Sequence, residues 1–150
     1  MVLNQIKYKI KTAKENEILL HLNECSNSFY PPLIERVNIK EYSKKLIDKS
    51  ITFEAWDDQD LVGLIAVYFS ENDKRSAFIT NVSVKENYLG IGIASELLMM
   101  SIEFTKQKNF KVIELEVNKQ SVKAIKMYKK FNFINYGIKN NNILMKLVII

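Results

Sequence analysis

The stretch that decides the fold reads Ser76-Ala77-Phe78-Ile79-Thr80-Asn81-Val82-Ser83-Val84, then Lys85-Glu86-Asn87-Tyr88-Leu89-Gly90-Ile91-Gly92-Ile93-Ala94, then a periodic apolar segment from Ser95 to Lys108. The first part has the β-branched and aromatic content of a strand. The last places Ala94, Leu97, Leu98, Ile102 and Thr105 at helical spacing. A glycine-rich turn therefore joins a strand to a helix. The first turn of a helix carries N–H groups without intrahelical partners and partial positive charge, so an anion such as phosphate can sit there. Gly90 and Gly92 would let the ligand approach the backbone. The plainer alternative, two glycines that merely turn the chain, stays open on these residues alone.

At 150 residues the chain fits one domain with a real core. No apolar run reaches the roughly 20 residues that span a bilayer, and the N-terminus alternates Lys with Ile and Tyr, unlike a signal peptide. A cytoplasmic protein without membrane association is expected. Cys25 is the only cysteine and His21 the only histidine, which excludes an internal disulfide and a Cys/His zinc site, and no metal is expected. The net charge of +5 suits an anionic ligand, and it suits solubility equally. No run of five basic residues and no nucleic-acid motif is present, so no nucleic-acid partner is expected.

Working outward, residues 5–11 alternate Ile6, Tyr8 and Ile10 with polar residues as a strand, and Thr12 with Glu15 reads as a capping box for a helix carrying Ile18, Leu19 and Leu22. His21 reads as a surface residue of that helix. Residues 23–38 hold Phe29-Tyr30-Pro31-Pro32-Leu33, which cannot be a helix interior and should pack over the core or a ligand. A second helix carries Ile39, Tyr42, Leu46 and Ile47. Strands 51–56 and 61–69 form a hairpin across a polar turn, and a second polar turn at 70–75 leads into the strand of Ser76–Val84. After the glycine turn and its helix, Val112, Ile113, Leu115 and Val117 mark a strand that should run parallel to it in a right-handed βαβ unit. A last helix at 121–131 and a terminal hairpin at 134–149 complete the chain.

This order, together with Leu89-Gly90-Ile91-Gly92-Ile93-Ala94, resembles the GCN5-related N-acetyltransferases (GNAT), whose acetyl-CoA signature is Gln/Arg-x-x-Gly-x-Gly/Ala. Gly92 and Ala94 match, while Leu89 stands where the family has Gln or Arg. A second match is Leu115-Glu116-Val117, then Ser121-Val122-Lys123-Ala124-Ile125-Lys126-Met127-Tyr128, then Phe131-Asn132-Phe133. There Ser121 replaces the usual Asn, and Asn132 the usual Gly. The resemblance covers essentially the whole chain and implies an α+β (α/β/α) GNAT fold. Its sheet would be mixed, mostly antiparallel and seven-stranded, with four helices, splayed between strands four and five.

The same resemblance implies acetyl-CoA as co-substrate, without a metal. Pantetheine would lie along Val82, Ser83 and Val84. The pyrophosphate would lie on Leu89, Gly90, Ile91, Gly92, Ile93, Ala94 and Ser95, with Ser121 and Tyr128 completing the cofactor site. Tyr128 would be the general acid for the departing thiolate, and Glu116 the base, as in bacterial ribosomal-protein alanine acetyltransferases. Other members carry a glutamate where this chain has Phe78, and a water positioned by Asn81 or Thr80 is an equal alternative to Glu116. Phe29, Tyr30 and Asn81 would contact the acceptor, read as a small-molecule amine such as an amino sugar. A protein N-terminus, a lysine, or a non-catalytic acyl-CoA-binding role are the alternatives, and homodimerisation is left open. A dinucleotide-binding reading of Gly90-x-Gly92-x-x-Ser95 with Glu114 and Glu116 fails on the third glycine and on the short remaining chain.

Overall fold

The computed structural model describes residues 5–70 and 75–149. The polar turn expected at 70–75 falls for the most part outside them. Seven strands form one sheet: β1 (Lys7–Ile10), β2 (Ile51–Asp57), β3 (Asp60–Ser70), β4 (Ser76–Val84), β5 (Val112–Asn118), β6 (Ile134–Lys139) and β7 (Asn142–Val148), in the order β1-β2-β3-β4-β5-β7-β6. All neighbours are antiparallel except β4 and β5, which run parallel as the intervening helix requires. The helices are α1 (Glu15–Cys25), α2 (Leu33–Arg36), α3 (Ile39–Lys49), α4 (Ile93–Gln107) and α5 (Val122–Lys130). The single-turn α2 is additional to the four expected helices. Pro32 stands immediately before it, where a missing N–H costs nothing.

Alternation along the strands splits the core in two. Phe53, Ala55, Ile65, Val67, Ala77 and Ile79 point to the face covered by Leu97 and Leu98 of α4 and Tyr128 of α5. Leu64, Ala66 and Trp56 point to the opposite face, under Ile18 and Leu22 of α1 and Leu46 of α3. No helix among the described residues is long and apolar enough to cross a membrane.

Two expectations for α1 are corrected here. Thr12 does not cap the helix, because its hydroxyl and N–H are both bound to Glu54, at 2.5 and 2.9 Å. The helix instead begins after Lys14, whose N–H donates to Glu17 at 2.9 Å. His21 is not a surface residue; it is 1% exposed. It lies three residues after Ile18 and four before Cys25, which are both buried.

Glu54 is fully buried on β2 and accepts further hydrogen bonds from Ala13 N–H (3.1 Å), Thr52 Oγ1 (2.6 Å) and Trp56 Nε1 (3.1 Å). One carboxylate thus ties the β1–α1 connection to the sheet. Removing it leaves several buried donors without acceptors, each costing about 1–3 kcal/mol. Glu54→Ala should therefore lower unfolding free energy by roughly 4 kcal/mol in urea titration. An unchanged midpoint would show that these donors find water instead.

Candidate active site

The β4–β5 ladder covers only Ser76↔Val112 to Ile79↔Leu115, although β4 continues to Val84 and β5 to Asn118. Its end coincides with a bulge. β3 pairs Ala66 with Asn81 and Val67 with Ile79, so Thr80 is an extra residue. A bulge bends its strand and shifts the phase of its side chains. Past it the two strands diverge, and the gap opens into a cavity of about 190 Å³ lined by Thr80, Asn81, Val82, Glu116, Ser121 and Tyr128 among others. Phe29 and Tyr30 border the same cavity.

A second depression of about 350 Å³ continues from it between Tyr30, Pro31 and Arg36 on one side and Asn140, Asn141 and Asn142 of the terminal hairpin on the other. Thr80 and Glu116 line both. A third, of about 180 Å³, sits at the far end of β4 over Val84, Leu89, Gly90, Gly92, Ala94 and Ser95.

At this third depression the glycine turn has the form anion binding requires. Gly90 and Gly92 have φ of +78° and +90°, and a Cβ at either would project into open space, the space a ligand would take. The first intrahelical bond of α4 runs from Glu96 N–H to Gly92 O at 3.0 Å, so the N–H groups of Ile93, Ala94 and Ser95 are left for a ligand. Leu89 is 59% exposed and contributes no polar group. Ile91 is exposed and lines none of the three depressions.

Tyr128 is 4% exposed, and its hydroxyl makes no hydrogen bond among the described residues. Burial raises it well above the usual tyrosine range, so the hydroxyl keeps its proton. Glu116 lies at the cavity mouth, 3.7 Å from Lys139 Nζ, and accepts from Asn142 Nδ2 at 3.3 Å. Ser83, expected beside pantetheine, turns its side chain away from the gap toward His21, leaving its backbone to face a ligand.

His21 was missed as part of this region. Its Nδ1 is 2.9 Å from Leu61 O and its Nε2 2.9 Å from Ser83 Oγ. Burial, strengthened by the Lys85 charge, lowers it to about 4. Lys85 itself is depressed by burial, but its bonds to Asp60 and Glu24 outweigh that and raise it. No group of three or more potential metal-ligating side chains occurs among the described residues.

The family model for the acetyltransferase (GNAT) family matches residues 16–133. The chain belongs to the GNAT family. A Bacillus subtilis (strain 168) protein bearing the provisional name of a ribosomal protein bS18-alanine N-acetyltransferase is 29% identical over 115 residues, 77% of this chain and 67% of the relative. Among solved structures, PH1933 of Pyrococcus horikoshii OT3 is similar at a TM-score of 0.79 with 26% identity, covering 96% of this chain and 98% of that one. The PaiA N-acetyltransferase of Thermoplasma acidophilum in complex with coenzyme A has a TM-score of 0.77 and 16% identity, covering 95% of this chain and 99% of the other. As a GNAT enzyme the protein is an acetyl-CoA-dependent acyltransferase, and the glycine turn and open gap fit that co-substrate.

The neutral His21 gives a pH dependence of definite sign. The unfolded imidazole takes up a proton near 6.5, the folded one only near 4. Its contribution to stability is complete above pH 6.5 and is lost as pH falls through that window, by about 3 kcal/mol in all. Urea unfolding of wild type against His21→Gln between pH 7 and 4.5 should show this difference shrinking. A difference independent of pH would mean that His21 titrates in the fold as it does in the unfolded chain.

Proposed function

We propose that the chain transfers acetyl directly to a primary amine, and that the acceptor is the N-terminal amine of a protein segment. The observation that carries this is the early end of the β4–β5 ladder, which leaves β4 unpaired by β5 from Thr80 to the glycine turn and opens the Tyr128 cavity to the cleft beside Tyr30 and the terminal hairpin. An open cleft suits an extended peptide better than a small sugar, which calls for an enclosed pocket. The B. subtilis relative and the similar Escherichia coli structure, a ribosomal-protein-S18-alanine N-acetyltransferase with a TM-score of 0.75, 15% identity and coverage of 95% of this chain and 94% of that one, are named for that type of acceptor. The Phe29-Tyr30 wall, which suggested a small amine, borders the cleft as a peptide would also need.

Acetyl-CoA supplies an activated acyl group as a thioester. The N–H groups of Ile93, Ala94 and Ser95 would hold its pyrophosphate, and backbone groups of Val82 to Val84, unpaired on the β5 side, its pantetheine arm. Glu116, at the mouth shared by both cavities, takes the proton of the arriving ammonium. Tyr128 keeps its O–H in the buried gap and donates it to the departing sulfur. A cytoplasmic setting suits the lone free thiol of Cys25.

Thiol release from acetyl-CoA with a panel of free-N-terminal peptides, lysine peptides, amino sugars and simple amines tests the reading. Peptides with a free N-terminus should turn over best. Tyr128→Phe should lower kcat by about 10²–10³ while leaving the Kd for coenzyme A within about threefold. Amino-sugar turnover without peptide turnover would restore the small-amine acceptor, and an unaffected kcat would remove Tyr128 from the chemistry.

A further inference from the structure

We infer that Arg36 selects the acceptor, by binding a carboxylate carried on one of the first two residues of the peptide whose amine is acetylated. The inference rests on the proposed peptide acceptor, and binding measurements test it apart from turnover. Among the described residues that line the cavity of about 190 Å³, Arg36 and Glu116 are the only charged ones, and the same two are the only charged residues lining the outer cleft of about 350 Å³. One cation and one anion thus border both halves of the path an acceptor would take.

The two charges differ in what already meets them. Glu116 has Lys139 Nζ at 3.7 Å and Asn142 Nδ2 at 3.3 Å. The Arg36 guanidinium has no ion pair or hydrogen bond among the described residues, and Glu35, its neighbour on α2, forms none with it. Asn118, which lines both cavities, is already committed: its Oδ1 accepts from Gln120 N–H at 2.9 Å and its Nδ2 donates to Tyr30 O at 3.4 Å. Arg36 is exposed, so its forked N–H donors are open to the cleft, and the group that matches them in both charge and shape is a carboxylate.

The backbone that carries Arg36 is tied down. Leu33 of the same turn is buried, Ile34 N–H donates to Ser26 Oγ at 3.0 Å, and Val37 N–H donates to Leu33 O at 3.1 Å. A cation on a held turn loses less freedom on binding than one on a loose loop. Arg36 lines the cavity that holds Tyr128 as well as the cleft outside it, and an extended chain advances only about 3.3 Å per residue. With the amine in the cavity, the side chains beside Arg36 are therefore those of the first residues. An acidic segment then meets both charges favourably, its ammonium toward Glu116 and its carboxylate toward Arg36, whereas a basic side chain brings like charge against Arg36.

Otherwise identical free-N-terminal peptides with Asp, Asn or Lys at the first or at the second residue test this, in turnover and in binding to the chain loaded with coenzyme A. At one of the two positions KM and Kd for the Asp peptide should lie about five- to tenfold below those for Asn, with Lys weakest, and the advantage of Asp should shrink as salt is added. Arg36→Gln should abolish the difference between Asp and Asn, and Arg36→Glu should reverse the order of Asp and Lys. Equal values for Asp and Asn at both positions, or a difference that survives Arg36→Gln, would overturn the inference. Turnover of free α-amino acids in place of peptides would overturn it too, since an α-carboxylate would then take the place beside Arg36. Absence of any turnover would overturn the acetyl-transfer reading, while the ratio of Asp to Asn binding would still decide the carboxylate contact.

Discussion

A strand cannot follow two partners that diverge. β4 stays antiparallel to β3 along its whole length, from Ser76 to Val84, and so must leave β5 after Ile79. The extra residue at Thr80 accommodates the change of direction, since a bulge increases local twist and takes one residue out of the ladder. Everything chemical in the molecule follows from that parting. It exposes backbone groups on β4 that an intact sheet would have paired, it admits Tyr128 to the gap from below, and it changes the phase of β4 so that polar residues face α1 and α3.

The two faces of the sheet divide the work. Under α4 and α5 the packing is apolar: Phe53 meets Phe104 edge-on at 5.4 Å between centroids, and Leu97, Leu98, Ile113 and Met145 are almost wholly buried. Under α1 and α3 lie Glu54, His21, Asn81, Ser83 and Thr52, all buried. Polar groups out of water cost free energy unless each is matched, and a matched set holds its members in one arrangement. The apolar face supplies the bulk of the driving force, and the polar face holds its members in one arrangement.

What was legible in the sequence was what depends on near neighbours. Alternation marked β1 and β5, β-branched and aromatic content marked β4, the apolar stripe of Leu97, Leu98 and Ile102 marked α4, and a helix between β4 and β5 sufficed to make that pair parallel. The glycine turn and the helix that carries Tyr128 could be placed from local spacing, while the roles given to them came from the family resemblance. Thr12 was misread because its true partner, Glu54, is 42 residues away: a hydroxyl that could accept from a helix N–H instead donates to a carboxylate buried in the sheet. His21 was misread because a lone polar residue on a helix is normally solvated; here its position between Ile18 and Cys25 was the available signal. The bulge at Thr80 left no trace at all, since register depends on what lies across the sheet.

The departures from the family pattern show which features the site depends on. Leu89 replaces a polar side chain at an exposed position, and the unpaired N–H groups of the turn are unaffected by it. Gly90 and Gly92 are another matter, since φ of +78° and +90° strains any residue with a Cβ. Asn132 substitutes for glycine at φ +72°, a conformation Asn tolerates better than most residues, and the turn it makes returns Phe133 N–H to Tyr128 O at 3.0 Å. The Phe133 ring then packs against Tyr128 at 5.7 Å. That short closing motif therefore acts on the tyrosine: it fixes the end of α5 from which the hydroxyl reaches the gap. An exposed side chain such as Leu89 leaves the local backbone as it is, whereas the positive-φ turn at Gly90 and Gly92 and the closing bond on Tyr128 depend on backbone conformation.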